Sequence, residues 1–204
     1  MISYAMRVER GTGGDDRAAV VVCSDVTLIV VADGAGGTGG GGEAAEAICA
    51  RVTEAARRGV RGAEAWATCL SDADREAAEV GIIGESTAVV VEVSREAISG
   101  ASVGDSEAWV VSGTAVVEVS RGQERKPLIG SGRARPARFG PATFDGRLLV
   151  ATDGLFKYAA AGTLANVARG AELEDAANGL LACVRLRSGA LPDDVALVLA
   201  ERAR

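Results

Sequence analysis

Histidine is absent from the 204 residues, and that absence removes several chemistries at once. A Ser-His-Asp triad, a Cys-His nucleophile, a histidine general acid and a histidine zinc site all need the imidazole. Any catalysis must therefore rest on carboxylates, arginines, backbone groups or a metal held by oxygen ligands. Aromatic residues make up only 3% of the chain, so Val, Leu, Ile and Ala must build the core. The four cysteines, Cys23, Cys49, Cys69 and Cys183, are far apart and form no C-x-x-C pair, which argues against a zinc knuckle and fits buried reduced thiols. No apolar run approaches the roughly 18 to 20 residues that span a bilayer, and the first seven residues carry no apolar signal region. A cytoplasmic protein without a membrane partner is expected. Basic charge is also short: 28 acidic residues face 22 basic ones, for a net charge of −6. Nucleic-acid binding needs a basic face, so no nucleic-acid partner is expected.

The residues that are present describe a globular chain, 48% hydrophobic and 25% charged. The length suits one domain over 1–204 with a substantial core. The most informative segment is Val30-Val31-Ala32-Asp33-Gly34-Ala35-Gly36-Gly37. The β-branched run over 26–32 reads as a strand, so Asp33 sits at a strand end. Glycines after it allow positive φ and close approach to a ligand, and a helix is expected over about 42–58.

Three readings of this segment compete. Gly34, Gly36 and Gly39 satisfy G-x-G-x-x-G between a strand and a helix, the dinucleotide fingerprint. Alternatively, Asp33 and the Gly34 carbonyl are metal ligands, or the turn is inert. Three features weigh against a dinucleotide. Asp33 would place a negative charge beside the pyrophosphate, where helix N-termini favour anions. No second strand with a ribose-binding acid follows about 20 residues on, since Glu54 lies in an alanine-rich helical stretch. Finally, the apolar run 18–23 reaches the 26–32 strand across Ser24-Asp25, as in an antiparallel hairpin.

Further along, a second helix is expected over about 63–80, forming an αα-hairpin with the first. Alternating segments over 86–93, 97–103, 107–111 and 115–119 read as a meander of antiparallel strands. Residues 122–145 hold three of the four prolines and read as a surface loop. A strand over 147–152 ends in Asp153-Gly154, helices are expected over about 161–169 and 173–187, and Asp193-Asp194 leads into an apolar strand over 195–200. Strands interleaved with helix pairs, rather than strict β-α alternation, indicate an α+β sandwich.

Four acidic sites share one pattern: Asp15-Asp16, Asp33, Asp153 and Asp193-Asp194 all lie at strand ends. A single aspartate there is ordinary turn chemistry, but the set together points to a shared site. These motifs, in this order, resemble the metal-dependent protein phosphatase family, also called the protein phosphatase 2C family. Val31-Ala32-Asp33-Gly34-Ala35-Gly36-Gly37 resembles its V-A-D-G-x-G-G segment, and Gly84-Glu85-Ser86-Thr87 its G-x-S/T-T strand start. Gly104-Asp105-Ser106-Glu107-Ala108-Trp109 resembles G-D-S-R-A-Y, Ala151-Thr152-Asp153-Gly154-Leu155 resembles S-D-G-L, and Asp193-Asp194-Val195 resembles D-N-V.

The resemblance implies a four-layer αββα sandwich and a bacterial-type serine/threonine phosphatase. It implies two Mn²⁺ or Mg²⁺ ions, whose all-oxygen ligands suit a chain without histidine. Asp33 would bridge both metals, Asp153 and Asp193 would complete one site, and the Gly34 carbonyl with Asp16, or Asp15, would support the other. Water activated between the ions would attack phosphoserine or phosphothreonine in line. The implied partners are a phosphorylated protein and a Ser/Thr kinase or its targets.

Several positions depart from the family. Arg10 fits the arginine that holds the substrate phosphate if Asp15 is the aligned acid, and fits less well if Asp16 is; Arg7 is the alternative, and Gly14 replaces an asparagine. Ala35 stands where many eukaryotic members have a histidine general acid, which leaves leaving-group protonation to water. Lys157 stands where some relatives carry another acid, so a third metal on Asp105 is doubtful. Glu107 replaces a common arginine. Arg133, Arg135 and Arg138 would attract a phosphorylated segment or form a solvated basic face. A regulatory or binding module on the same fold, with weak turnover, is the alternative from another class.

Overall fold

The computed structural model describes residues 2–35, 39–81, 84–170 and 172–203. The chain enters on β1 (Ile2–Glu9), followed by a hairpin of β2 (Arg17–Val22) and β3 (Thr27–Ala32) and a two-residue strand, β4 (Gly34–Ala35). Helices α1 (Gly41–Arg57) and α2 (Ala63–Val80) come next. Strands β5 (Glu85–Ser86), β6 (Ala88–Val93), β7 (Ile98–Val103), β8 (Glu107–Val111), β9 (Val116–Glu118), β10 (Ala137–Ala142) and β11 (Arg147–Ala151) follow. The chain closes with α3 (Asp153–Phe156), α4 (Ala161–Arg169), α5 (Leu173–Val184) and β12 (Val195–Arg202).

Two five-stranded antiparallel sheets result, in the orders β1-β12-β11-β8-β9 and β10-β7-β6-β3-β2, with β4 and β5 forming a small third pair. Strand β3 shows why they stack. All six of its residues are buried, and successive side chains of a strand point to opposite faces. Leu28, Val30 and Ala32 therefore meet Val52, Trp66 and Leu70 of α1 and α2, while Ile29 and Val31 meet Leu148, Val150 and Val198 of the other sheet. On the far side Leu149 and Leu197 pack against Leu155, Leu164 and Leu180 of α3, α4 and α5. The architecture is the expected α+β, four-layer αββα sandwich.

Buried acids outside the strand ends secure the α2 layer. Glu92 Oε2 accepts both the Trp66 Nε1–H and the Gly62 N–H at 2.8 Å. The Asp74 carboxylate accepts the N–H groups of Gly130, Gly132 and Ala134 at 2.8–2.9 Å, tying the long loop to the helix. No disulfide forms among the described residues: Cys49 is buried as expected, and the other three thiols are only half-buried. No described helix is long and apolar enough to cross a membrane.

Some elements differ from the sequence reading. Strand β1 was not anticipated; it pairs with β12 over eight residues, from Ile2↔Arg202 to Glu9↔Val195. The expected meander is divided, with β6 and β7 in one sheet and β8 and β9 in the other. Side-chain alternation marks a buried face without saying which sheet supplies the partner strand. The region read as a loop contains β10, an edge strand whose register shifts around Gly140 and Pro141, where a residue without an N–H is tolerated. Helix α5 ends at Val184, because Arg185 already adopts extended backbone.

Candidate metal centre

Antiparallel pairing gathers the acids. Since Arg17 pairs with Ala32, the start of β2 and the end of β3 lie together, which brings Asp16 beside Asp33. Likewise Ala151 pairs with Leu197, so Asp153 after β11 lies near Asp193 and Asp194 before β12. Carboxylate oxygens of Asp33, Asp105 and Asp153 lie within 4.8 Å of one another. Asp16 is only 4% exposed, and its Oδ2 has no hydrogen-bond partner.

These carboxyls resist ionisation in the absence of a cation. Burial pushes Asp33 well above the ordinary carboxylate range, and the charges of Asp16, Asp153 and Asp105 push it further. Burial likewise raises Asp16, with Asp194 and Asp153 adding to the effect. Asp153 is raised by burial although Lys157 opposes it. Clustered, desolvated oxygen donors with an unpartnered buried oxygen fit a hard divalent cation, which would relieve both repulsion and desolvation.

Hydroxyls and backbone groups hold Asp33 in place. Its N–H donates to Thr87 Oγ1 at 3.0 Å, and its carbonyl accepts the Thr87 N–H and the Ser86 hydroxyl, both at 2.9 Å. Thr87 Oγ1 lies 2.7 Å from Ser106 Oγ, so the segments around Asp33, Thr87 and Asp105 are knitted behind the carboxylates. Gly34 follows on β4, paired with Ser86. A Cβ at Gly34 would lie 2.2 Å from the Gly41 carbonyl oxygen, so the first turn of α1 approaches only because no side chain stands there.

Asp194, grouped with Asp193 in the sequence as one acidic site, has a role of its own that the sequence does not show. Its carboxylate accepts the N–H groups of Gly11 at 2.6 Å, Gly13 at 3.2 Å, Asp15 at 2.8 Å and Gly14, closing the loop that carries Asp15 and Asp16. Burial alone would raise Asp194, but the four backbone donors together outweigh it and leave the carboxyl below the ordinary range. The available signal was the doubled acid Asp193-Asp194, but its second residue is easily read as part of the same ligand because the glycines it meets lie 180 to 183 residues away.

The other singled-out residues divide. Asp15 leans toward α1, where a Cβ on Gly42 would lie 2.8 Å from its Oδ1. Asp193 lies near Lys157, whose Nζ is 3.7 Å from Asp193 Oδ2 and 2.5 Å from Asp153 Oδ2. Asp105 is paired with Arg125 at 2.8 Å. Arg10 is exposed, its side chain lies over Gly14, and its guanidinium pairs with no described residue. Arg7 is committed instead to Glu174 and Asn178 of α5. Of the loop arginines, Arg138 pairs with Glu64, Arg135 is 3.9 Å from Glu124, and Arg133 is exposed. Glu107 accepts the Trp109 Nε1–H at 2.6 Å. Residues Gly36 and Gly37 lie outside the described residues. The dinucleotide reading is corrected on topology: β3 lies between antiparallel β2 and β6, so it belongs to no βαβ unit.

No family model matches the chain, and no curated protein matches it in sequence. Solved structures do match in fold. A bacterial serine phosphatase superposes with a TM-score of 0.86 over 100% of both chains at 18% identity. The catalytic domain of the serine/threonine protein phosphatase PstP in complex with two manganese ions gives 0.80 over 98% of this chain and 97% of that one, at 19% identity. The serine/threonine phosphatase Stp1 from Staphylococcus aureus gives 0.83 over 100% and 96%, at 18% identity. The fold is that of the bacterial serine/threonine phosphatases.

Proposed function

We propose that residues 1–204 form a single catalytic domain, a metal-dependent phosphatase that hydrolyses phosphoserine and phosphothreonine in proteins. The observation that carries this reading is the convergence of Asp16, Asp33, Asp105 and Asp153 at strand ends of the two stacked sheets, with the carboxyls of Asp16, Asp33 and Asp153 raised and an unpartnered buried Asp16 oxygen. The residues that would hold Mn²⁺ or Mg²⁺ are Asp33 at the centre, Asp153 and Asp193 on one side, and Asp16 with the Gly34 carbonyl on the other. Divalent cations held there would supply Lewis acidity toward phosphoryl oxygens and would let water ionise to a hydroxide nucleophile near neutral pH.

The chain's own residues do the rest. Thr87, Ser86 and Ser106 fix the Asp33 backbone, so its carboxylate is preorganised. Arg10, exposed and lying over Gly14, offers a planar two-pronged donor for the substrate phosphate. With no histidine in the chain, the proton for the departing serine or threonine oxygen comes from water.

Hydrolysis of p-nitrophenyl phosphate with and without Mn²⁺, in the wild type and Asp33→Asn, tests the reading. Mn²⁺-dependent turnover lost in the variant supports it, and equal rates overturn it. The ion pairs of Lys157 with Asp153 and Arg125 with Asp105 favour a second reading, a binding or regulatory module with little turnover. Mn²⁺ uptake in calorimetry without turnover would select that second reading.

A further inference from the structure

Lys157 stands one turn after Asp153, and the local fold aims it. Its N–H donates to the Asp153 carbonyl at 2.8 Å, and α3 is pinned by the buried Leu155 and by Phe156, whose ring centroid is 4.6 Å from that of Trp109. Gly154 packs so closely that a Cβ there would lie 2.0 Å from the Asp194 carbonyl oxygen. The ammonium therefore reaches Asp153 at 2.5 Å and Asp193 at 3.7 Å. These are the two carboxylates assigned above to one side of the centre.

Positive charge is distributed unevenly over the acids. Lys157 serves Asp153 and Asp193, and Arg125 serves Asp105. Among the described residues neither Asp16 nor Asp33 is ion-paired, and Asp16 Oδ2 is unpartnered. The Asp33–Asp16 half has no cationic side chain among the described residues, and the Asp153–Asp193 half has one.

We propose that Lys157 is a built-in cation occupying the Asp153–Asp193 half of the centre, so that one divalent ion loads readily on the Asp33–Asp16 side and a second loads only by displacing the ammonium. The inference rests on the metal-dependent reading above. Displacement is feasible, because the Lys157 side chain is 46% exposed and its flexible four-carbon stem lets the ammonium move into solvent. Two cations held by the same oxygens repel strongly, so lysine and metal occupy this half in alternation.

Mn²⁺ titration of the metal-stripped full chain, by calorimetry and by the electron paramagnetic resonance of free Mn²⁺, tests the proposal. The wild type should show one tighter and one weaker ion. Lys157→Met should tighten the weaker ion by about tenfold or more, as expected when a like charge leaves a metal site, and Lys157→Arg, which keeps the charge, should not. Without metal, Lys157→Met should melt at lower temperature, because Asp153 and Asp193 lose their partner, and should gain more from added Mn²⁺. Lys157→Gln makes the same comparison should the Met variant not fold. Identical two-ion isotherms for the wild type and the neutral variant would overturn the proposal. Absence of Mn²⁺ uptake by every protein would instead overturn the metal-dependent reading beneath it.

Discussion

The Asp33 N–H donates to Thr87 Oγ1 at 3.0 Å, and the Asp33 carbonyl accepts the Thr87 N–H at 2.9 Å. This reciprocal pair fixes both sides of the Asp33 backbone. Because the same Thr87 hydroxyl meets Ser106, the placement of Asp33 depends on the two connections that lead into β6 and β8.

Thr87→Val keeps the shape of the side chain and removes its hydroxyl. It leaves the Asp33 N–H and the Ser106 hydroxyl without that partner. Loss of about 1–3 kcal/mol in urea unfolding is expected, with a fall of about tenfold or more in Mn²⁺-dependent hydrolysis as Asp33 shifts. Wild-type stability and rate would show that Thr87 is dispensable.

Asp33 and Asp16 set a pH dependence. Both carboxyls are raised in the folded protein, by burial first and by neighbouring charge next, so the fold prefers them protonated. Their contribution to stability is present below the ordinary carboxylate value of about 4 and is lost as pH rises through the raised values. Metal-free protein should melt lower at pH 8 than at pH 5, and Mn²⁺ should reverse the trend. At pH 8 Asp33→Asn should raise the metal-free midpoint by about 2–4 °C while abolishing Mn²⁺-dependent turnover. A lower midpoint would contradict strain at this site.

Asp194 acts with the opposite sign. Its carboxyl is depressed by four backbone donors that outweigh its burial, so its contribution is present above the ordinary carboxylate range and is lost as pH falls through the depressed value. Asp194→Ala should cost about 2–3 kcal/mol, as for hydrogen bonds to a charged group. Hydrogen exchange should accelerate at residues 11–15, and an unchanged exchange rate there would refute the anchoring role.

Glu92 provides a control remote from the acids. Glu92→Leu strands the Trp66 Nε1–H and the Gly62 N–H, at a cost of about 2–5 kcal/mol. Mn²⁺ stoichiometry should stay as in the wild type for the protein that remains folded, and a changed stoichiometry would link this layer to the centre. Glu92→Gln, which retains one acceptor oxygen, should be milder.

Much of the architecture is written in local patterns. Helix periodicity marked α2 at its observed limits, Ala63–Val80, and the short β-branched runs marked β3 and β8, because burial of one stripe or face repeats along a single element. Strand β1 escaped because Tyr4, Met6 and Val8 lie exposed at a sheet edge, so its pattern is weak. Strand β10 escaped because Gly140 and Pro141 carry turn signals inside an edge strand.

At the centre, residue types and strand-end positions pointed to Asp15-Asp16, Asp33, Asp153 and Asp193-Asp194 as one set without choosing within the pairs, and the missing histidine pointed to oxygen-bound metal. Only tertiary structure could place Asp16 beside Asp33 while Asp15 leans toward α1, because consecutive residues diverge according to the backbone torsions between them. It alone turned Asp194 toward the backbone of 11–15 and brought Lys157 between Asp153 and Asp193. Composition and spacing determine which groups a chain can bring to a site. The pairing of distant strands decides which charges meet, since electrostatic contact depends on distance in space rather than separation along the chain.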